Sequence, residues 1–186
     1  MIDNIDILPI GEAAPISKEF KAHILPNSGN TDTFSTGSVR DDSTHKLPWS
    51  LVSPYALRDM AFRDIDNPIS EAMACVAQYQ IDLDPERLIT ALTALTRHSG
   101  PAPLVTRCKD GLAHYGGRNW ELGQNMARTV DSFYRHAFAE LDPDPNKEDH
   151  IGAMMWNIMS LVHHHYEVRN GGLPPELDDL PRYGGE

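Results

Sequence analysis

Three polar residues recur at intervals of seven near the end of the chain: His150, Asn157 and His164. Seven residues turn an α-helix by about 700°, so these side chains fall on one stripe of a helix. The segment around them is apolar, and buried polar groups need partners. The spacing predicts a polar line along the last helix, with Asn157 either a core amide that fixes helix register or a ligand contact.

A second polar set lies in the preceding segment, at Arg128, Asp131, Arg135, His136 and Glu140. A short acidic turn, residues 142–149, separates the two segments and favours antiparallel packing of their helices. This packing would bring His136 and Glu140 towards Asp149 and His150. Carboxylates and imidazoles together suit a hard divalent cation such as Mg²⁺ or Mn²⁺.

Each set also has an ordinary structural interpretation. Asp131 and Arg135 have the spacing of an ion pair on a helix surface. His136 and Glu140 could equally lie on a solvated face of the same helix. The three consecutive histidines 163–165 would point in three directions around a helix, so at most one or two could join one site. We interpret them as residues at a helix end, near the negative end of the helix dipole.

The segment HYGGRNWELGQ, residues 114–124, is too glycine-rich for a helix interior and predicts a rigid turn. Its two adjacent glycines end the helix before it. Trp120 either covers the end of the bundle or stacks on a base. Arg118 is suited to phosphate, and Glu121 to a metal or to capping the next helix.

Apolar periodicity then predicts the elements that position these residues. The predicted helices span residues 54–62, 69–81, 85–98, 103–115, 121–141 and 147–168. Asp84 before Pro85, and Ser53 before Pro54, are helix-start signals. No strand is predicted, so the expected class is all-α, a helix bundle with extended N- and C-terminal tails.

The predicted organisation has three parts. Residues 1–45 are extended or disordered, docking through Phe34 and Val39. Residues 46–168 form the helical domain, and residues 169–186 form an extended C-terminal tail.

Composition excludes several classes of protein. The 186-residue chain has a formal net charge of −11, which argues against nucleic-acid binding. Two cysteines are too few for a disulfide framework. The sequence shows no signal peptide and no membrane span, so we expect a cytoplasmic protein.

Four linked motifs resemble one known family. They read FSTGSVRD at 34–41, HYGGRNW at 114–120, DSFYRH at 131–136 and EDHIGAMMWN at 148–157. Together they resemble a phage and prophage family named for dATP/dGTP diphosphohydrolase N-terminal domains. The resemblance implies an all-α, MazG-like pyrophosphohydrolase in the bacterial host. Such an enzyme cleaves a nucleoside triphosphate to monophosphate and pyrophosphate.

Taken together with the polar residues above, this activity suggests roles for particular residues. One or two Mg²⁺ or Mn²⁺ ions would be held by some of the carboxylates of Glu121, Asp131, Glu140 and Asp149. The substrate nucleotide would contact Lys46, Arg118, Asn119, Trp120, Arg128, Arg135 and Asn157. The catalytic groups would be Glu121, Asp131, His136, Asp149 and His150. We also expect a homo-oligomer, with the apolar faces of residues 69–98 as the interface.

The chain departs from the family pattern at several points. Pro48 and Ser50 stand where the family has Arg and Asp, and residues 69–112 are interpreted as a helical insertion. MazG-type enzymes carry E-x-x-E on one helix and E-x-x-D on the next, and this chain has no such pair of helices. This absence favours an alternative, a non-enzymatic phage nucleotide-binding or structural module. A His-Asp type phosphohydrolase is a third possibility, but the order Asp149–His150 is reversed.

Overall fold

The computed structural model describes residues 30–44, 46–142 and 148–183. This part of the chain contains six α-helices and one small sheet. The helices are α1 (Pro54–Ala61), α2 (Pro68–Asp82), α3 (Pro85–Ser99), α4 (Ala102–Tyr115), α5 (Met126–Leu141) and α6 (His150–Arg169). Short 3-10 turns lie at Trp49–Leu51, Phe62–Asp64, Asn119–Leu122 and Pro175–Leu177. The predicted all-α class is confirmed.

Local signals explain where the first helices begin. Asp84 caps α3, because its carboxylate accepts a 3.0 Å hydrogen bond from the Glu86 amide while Pro85 takes the first helical position. Asn67 caps α2 in the same way, through the amide of Ile69 at 2.9 Å. Ser53 precedes α1 as predicted, but its side chain makes no capping bond.

The start of α5 differs from the prediction. The sequence predicts a helix from residue 121, whereas the chain forms the 3-10 turn Asn119–Leu122 and α5 begins only at Met126. Gly123 separates the two with φ = +98°, a backbone conformation that side chains disfavour. The aromatic and glycine residues of this segment therefore form a turn between α4 and α5 rather than the first turn of α5.

Helix α6 is the centre of the bundle and packs against α3, α4 and α5. Met154, Met155, Ile158 and Leu161 are fully buried along it. The apolar stripe of α3 is buried in the same core, so it is not free to form the predicted oligomer interface. Within the described residues, no helix combines the length and apolarity needed to cross a membrane.

A two-stranded hairpin precedes the helices, where the sequence predicted no strand. Strands β1 (Thr31–Thr33) and β2 (Val39–Asp41) pair antiparallel with Asp32 opposite Arg40. Each strand has three residues, too few to show an alternating pattern in the sequence. The Phe34 ring lies under the Arg128 guanidinium and the Val39 amide donates to Asn119, so both predicted docking residues contact the helical domain. Residues 1–29 of the predicted N-terminal segment lie outside the described part.

The C-terminal tail packs onto the bundle. Leu177 and Leu180 are buried. The Asp179 carboxylate accepts hydrogen bonds from the Ala127 amide at 2.8 Å and from the Asn125 side chain at 2.9 Å. The tail was predicted to be extended. Among residues 170–183 it forms a turn after α6 and the 3-10 turn Pro175–Leu177, and residues 178–183 have no regular or turn structure.

Two helical glycines are expected to respond in opposite directions to replacement by alanine. A Cβ on Gly152 would meet the Asp149 carboxylate and lie 2.7 Å from the backbone oxygen of Pro103, so Gly152→Ala should lower the free energy of unfolding by about 1–3 kcal/mol. A Cβ on Gly111 would meet no atom within 4 Å, so Gly111→Ala should raise it by up to about 1 kcal/mol. Urea unfolding of both variants checks this, and equal effects would contradict the close approach of α4 to α6.

Candidate functional site

A cavity of about 590 Å³ opens between the hairpin, α4, α5 and the N-terminal half of α6. Its walls come from residues 39–41, 107–120, 128–139 and 148–157, together with Lys46 and Gln124. Each of the four motifs identified in the sequence contributes to these walls. Segments that are far apart in the chain thus meet at one place.

The cavity carries positive charge inside an acidic protein. Two carboxylates line it, Asp41 and Glu148. Six cationic side chains line it, from Arg40, Lys46, Arg107, Arg118, Arg128 and Arg135. The whole chain has a formal net charge of −11, so this concentration of cations is local. Its positive potential favours an anionic ligand.

Arg40 projects from β2 into this cavity and is held by neutral groups. Its guanidinium donates to Asn157 Oδ1 at 2.8 Å and to Gln124 Oε1 at 3.2 Å. It also lies over the ring of Trp156, 5.2 Å from the centroid. Burial lowers the pKa of Arg40 to about 9, with contributions from the nearby Arg128, Arg135 and Arg107. An anion bound here would offset this repulsion between like charges.

The other arginines differ in how far they are already paired. Arg128 forms a 2.6 Å ion pair with Asp32, donates to the backbone oxygen of Asp41 and lies over the ring of Phe34. Arg107 pairs with Glu148 at 3.0 Å. Arg128 therefore fixes the hairpin, and Arg107 can reach a ligand only by sharing or exchanging Glu148.

Two amides fix the position of β2. Asn119 accepts from the Val39 amide at 2.9 Å and donates to the Val39 carbonyl at 2.7 Å, as a strand neighbour would. Buried Gln124 donates to Ser38 Oγ at 3.1 Å. Their hydrogen bonds go to the hairpin, so they position Arg40 rather than face the cavity with free groups.

Aromatic side chains form another part of the wall. Trp120 meets the His163 ring edge-on at 4.9 Å between centroids, and Trp156 carries Arg40 on its face. The Tyr115 hydroxyl donates to Asp41 at 2.6 Å. Burial, followed by this carboxylate, raises the pKa of Tyr115 to about 12, so the phenol stays protonated at neutral pH.

Two imidazoles and a carboxylate converge at one side of the cavity. The Nδ1 atoms of His136 and His150 are 3.1 Å apart. Glu148 completes a group in which one ligand atom from each residue lies within 4.8 Å of the others. Burial first, and then Arg107, His150 and other cations, hold the pKa of His136 well below its usual value. The imidazole of His136 is therefore neutral at pH 7.

The structure brings most of the predicted site residues together. Those that line the cavity are Lys46, Arg118, Asn119, Trp120, Arg128, Arg135, His136, His150 and Asn157. The predicted approach of the α5 end to the α6 start is seen in the contact between His136 and His150.

The four carboxylates predicted as metal ligands are not among the lining residues. Glu121 pairs with Arg118. Asp131 accepts from the Ser50 amide at 2.5 Å, and Asp149 caps α6 through the Gly152 amide at 2.8 Å. Glu140 is exposed. In this geometry they occur at four separate places on the domain.

Sequence reasoning missed several residues of the cavity. Arg40 and Asp41 stand in the motif FSTGSVRD, which served only to recognise a family, so the signal was present but not used for the site. Glu148 and Trp156 similarly stand in the motif EDHIGAMMWN. Arg107 on α4 belongs to none of the four motifs, and nothing in its sequence context marks it as a site residue.

His164 extends the polar stripe below the cavity and is expected to make stability pH-dependent. It is buried, its Nε2 lies 3.0 Å from the Trp120 carbonyl oxygen, and burial lowers its pKa from 6.5 to about 4, despite that hydrogen bond and with His163 and Arg40 nearby. Between these pH values the unfolded chain takes up a proton that the folded chain does not. Stability present above pH 6.5 should fall by about 3 kcal/mol as the pH drops to 4.

The variant His164→Gln should lose this part of the pH dependence. Urea unfolding of the wild type and the variant at pH 7, 5.5 and 4 measures it, and His98→Gln, at an exposed position on α3, is the matched control. Parallel pH profiles for the wild type and His164→Gln would contradict the prediction.

Comparison with known proteins gives one finding. Residues 90–171 match the family model described as dATP/dGTP diphosphohydrolase, N-terminal. The match contains residues 90–112, which the motif spacing had assigned to an insertion, and it excludes the hairpin. No curated protein and no solved structure matches the chain. Over residues 90–171, from within α3 to just past the end of α6, the chain is thus similar to the dATP/dGTP diphosphohydrolase N-terminal family.

Proposed function

We propose that the cavity binds a purine deoxynucleoside triphosphate and that the protein hydrolyses it to monophosphate and pyrophosphate. The observation that carries this proposal is the group of six cationic side chains around one cavity in an acidic chain. The family of residues 90–171 is named for the same class of substrate and reaction.

The phosphate chain fits the arginine-rich wall. Arg40, Arg107 and Arg135 are supplied by the hairpin, α4 and α5, so they approach a ligand from three sides. Guanidinium groups bind phosphate oxygens through paired charge-assisted hydrogen bonds. Burial, followed by the neighbouring arginines, lowers the pKa of Arg40, and a bound anion would favour its charged form.

The base fits the aromatic part of the wall. Trp120 and Trp156 are both half-buried and line the cavity. Stacking of a base on an aromatic ring contributes about 1–3 kcal/mol and tolerates different bases. We propose that Trp120 stacks on the purine, and that Trp156 supports Arg40, which binds the phosphates together with the other arginines.

The proposed reaction is attack of water on the α-phosphorus. A bond forms from the water oxygen to that phosphorus, the bond to the α,β-bridging oxygen breaks, and pyrophosphate leaves with that oxygen. A divalent cation, Mg²⁺ or Mn²⁺, supplies Lewis-acid activation of water and charge neutralisation when bound. Arg40, Arg107 and Arg135 stabilise the charge that develops on the phosphoryl oxygens. His136 and His150 line the cavity, and one of them would orient the water and accept the proton that it loses.

Product analysis tests this function. We would incubate the purified protein with each dNTP and NTP and with Mg²⁺ or Mn²⁺, and separate the products by ion-exchange chromatography. Monophosphate and pyrophosphate in equal amounts, from dATP or dGTP in preference to the other nucleotides, is the expected result. Inorganic phosphate without pyrophosphate would instead indicate a different bond cleavage.

A non-enzymatic nucleotide binder is the second candidate, favoured by the absent E-x-x-E pair in the sequence. Calorimetric binding of a dNTP without any turnover would support it and exclude the hydrolase. We further propose that the protein is encoded by a phage or prophage and acts in the cytoplasm of the bacterial host. We also propose that it is a homo-oligomer. Light scattering of the purified chain measures that state directly.

A further inference from the structure

We propose that His136, Glu148 and His150 form a binding site for a divalent transition-metal ion at the wall of the cavity, with Mn²⁺ preferred over Mg²⁺. The inference deepens the proposed function, since the ion would lie beside the phosphate-binding arginines. These three residues would hold the ion in place of the four carboxylates that were predicted from the sequence as metal ligands.

The geometry of the two imidazoles carries the proposal. Their Nδ1 atoms are 3.1 Å apart and face each other across the α5–α6 interface. Two nitrogens bound to one ion at about 2.0–2.1 Å, on adjacent coordination positions, are roughly 3 Å apart. Helix packing therefore already holds both nitrogens at the separation that a shared ion requires.

The carboxylate of Glu148 supplies the third ligand and a negative charge. It lies two residues before His150, and its ligand atom is within 4.8 Å of both imidazoles. Closing to a ligand separation of roughly 3 Å needs a movement of about 1–2 Å. Glu148 is paired with Arg107 at 3.0 Å, so the ion would share or replace this partner and release Arg107 towards the phosphates.

The chemistry of the ligands decides the class of metal. Mg²⁺ prefers oxygen ligands in near-ideal octahedral geometry and keeps several waters. Imidazole nitrogen suits first-row transition metals such as Fe²⁺ and Zn²⁺, and two imidazoles with one carboxylate form a recurrent catalytic set that leaves positions open for water. Mn²⁺ is the weakest binder of this series, but as a transition metal it accepts nitrogen ligands more readily than Mg²⁺ does. All three residues line the cavity, so an ion that they hold would lie beside the proposed phosphate site.

The test measures Mn²⁺ binding without nucleotide. Electron paramagnetic resonance of free Mn²⁺ during titration of the purified protein gives the number of sites and their Kd. We expect one tight site per chain, at least ten-fold weaker binding in Glu148→Gln and in His150→Gln, and no change in His98→Gln, which removes an exposed imidazole outside the cluster. Mg²⁺ at ten-fold excess over Mn²⁺ should leave most of the Mn²⁺ bound.

Some outcomes would overturn the site. Wild-type binding no tighter than that of His150→Gln, or displacement of Mn²⁺ by equimolar Mg²⁺, would each do so. Circular dichroism melting of each variant confirms that the loss of binding is not a loss of fold. Glu148→Gln and His150→Gln alter different elements of the cluster, so a folding defect in one leaves the other as the test.

Failure of this site and failure of the proposed function can be told apart. Nucleotide binding is measured separately by calorimetry in the presence of EDTA. Nucleotide bound while Mn²⁺ is not would reject the metal site and leave nucleotide binding intact. Mn²⁺ bound at one site while no nucleotide binds would support the metal site and reject the proposed function.

Discussion

Replacing Arg40 by glutamine should weaken dNTP binding by at least about 100-fold, since two charge-assisted hydrogen bonds to phosphate together contribute about 3 kcal/mol or more. Arg40 lies at the centre of the cationic wall, and its fixed partners are the neutral side chains of Asn157 and Gln124. Its charge is therefore available to a ligand. Calorimetric titration with dGTP in EDTA measures the loss.

The free energy of unfolding of the ligand-free protein should change only slightly when Arg40 is replaced by glutamine. Burial and the neighbouring arginines disfavour the charged form of Arg40, which is why its pKa falls to about 9. Removing the charge relieves that cost while breaking two hydrogen bonds to neutral groups. Arg63→Gln removes the same charge from an exposed position near the end of α1 and is the matched control. If Arg40→Gln and Arg63→Gln bound dGTP equally well, the cavity would not be the phosphate site.

Replacing Asn157 by leucine should lower the free energy of unfolding by about 2–4 kcal/mol, because leucine keeps the volume but leaves several polar groups without partners. Asn157 is buried in α6. It accepts from Arg40 at 2.8 Å and donates to the Ala153 carbonyl at 2.8 Å and to Ser132 Oγ at 3.3 Å. Urea unfolding measures the change.

Ser160→Ala is the matched control for that variant. Ser160 is also buried on α6, but its hydroxyl has no hydrogen-bond partner among the described residues. Its removal should change the unfolding free energy by no more than about 0.5 kcal/mol. The Asn157 prediction fails if the leucine and alanine variants are equally stable. Asn157→Leu should also weaken dGTP binding, because Arg40 loses its 2.8 Å anchor.

The amphipathic pattern predicted the helices well because helix periodicity is a local property. The stripe of α3 and the starts of α2 and α3 were readable, since Pro and an Asn or Asp cap act within a few residues of themselves. The start of α5 could not be predicted from the sequence. The turn at Gly123 packs against Leu173 and Leu177, which lie about fifty residues away in the chain. The three-residue strands carried too short a pattern to be recognised.

The polar stripe His150, Asn157 and His164 was predicted as a line of buried groups with partners, and the structure shows all three buried. Its partners came from elsewhere. Asn157 meets Arg40 from a hairpin 117 residues earlier, and His164 meets the Trp120 carbonyl oxygen. Spacing within one helix tells which side chains share a face, but it carries no information on which distant segment covers that face.

The sequence by itself determined the all-α class, the helix faces and the similarity of residues 90–171 to one family, because these follow from local periodicity and from motif order. Only the tertiary structure decided which charged groups form one cavity. It brought Arg40, Arg107 and Glu148 to the site, and it left Glu121, Asp131, Glu140 and Asp149 in capping, backbone or surface contacts. The physical reason is that a carboxylate suits a metal, a helix cap and an ion pair equally well by type, and only the positions of its neighbours select among these roles.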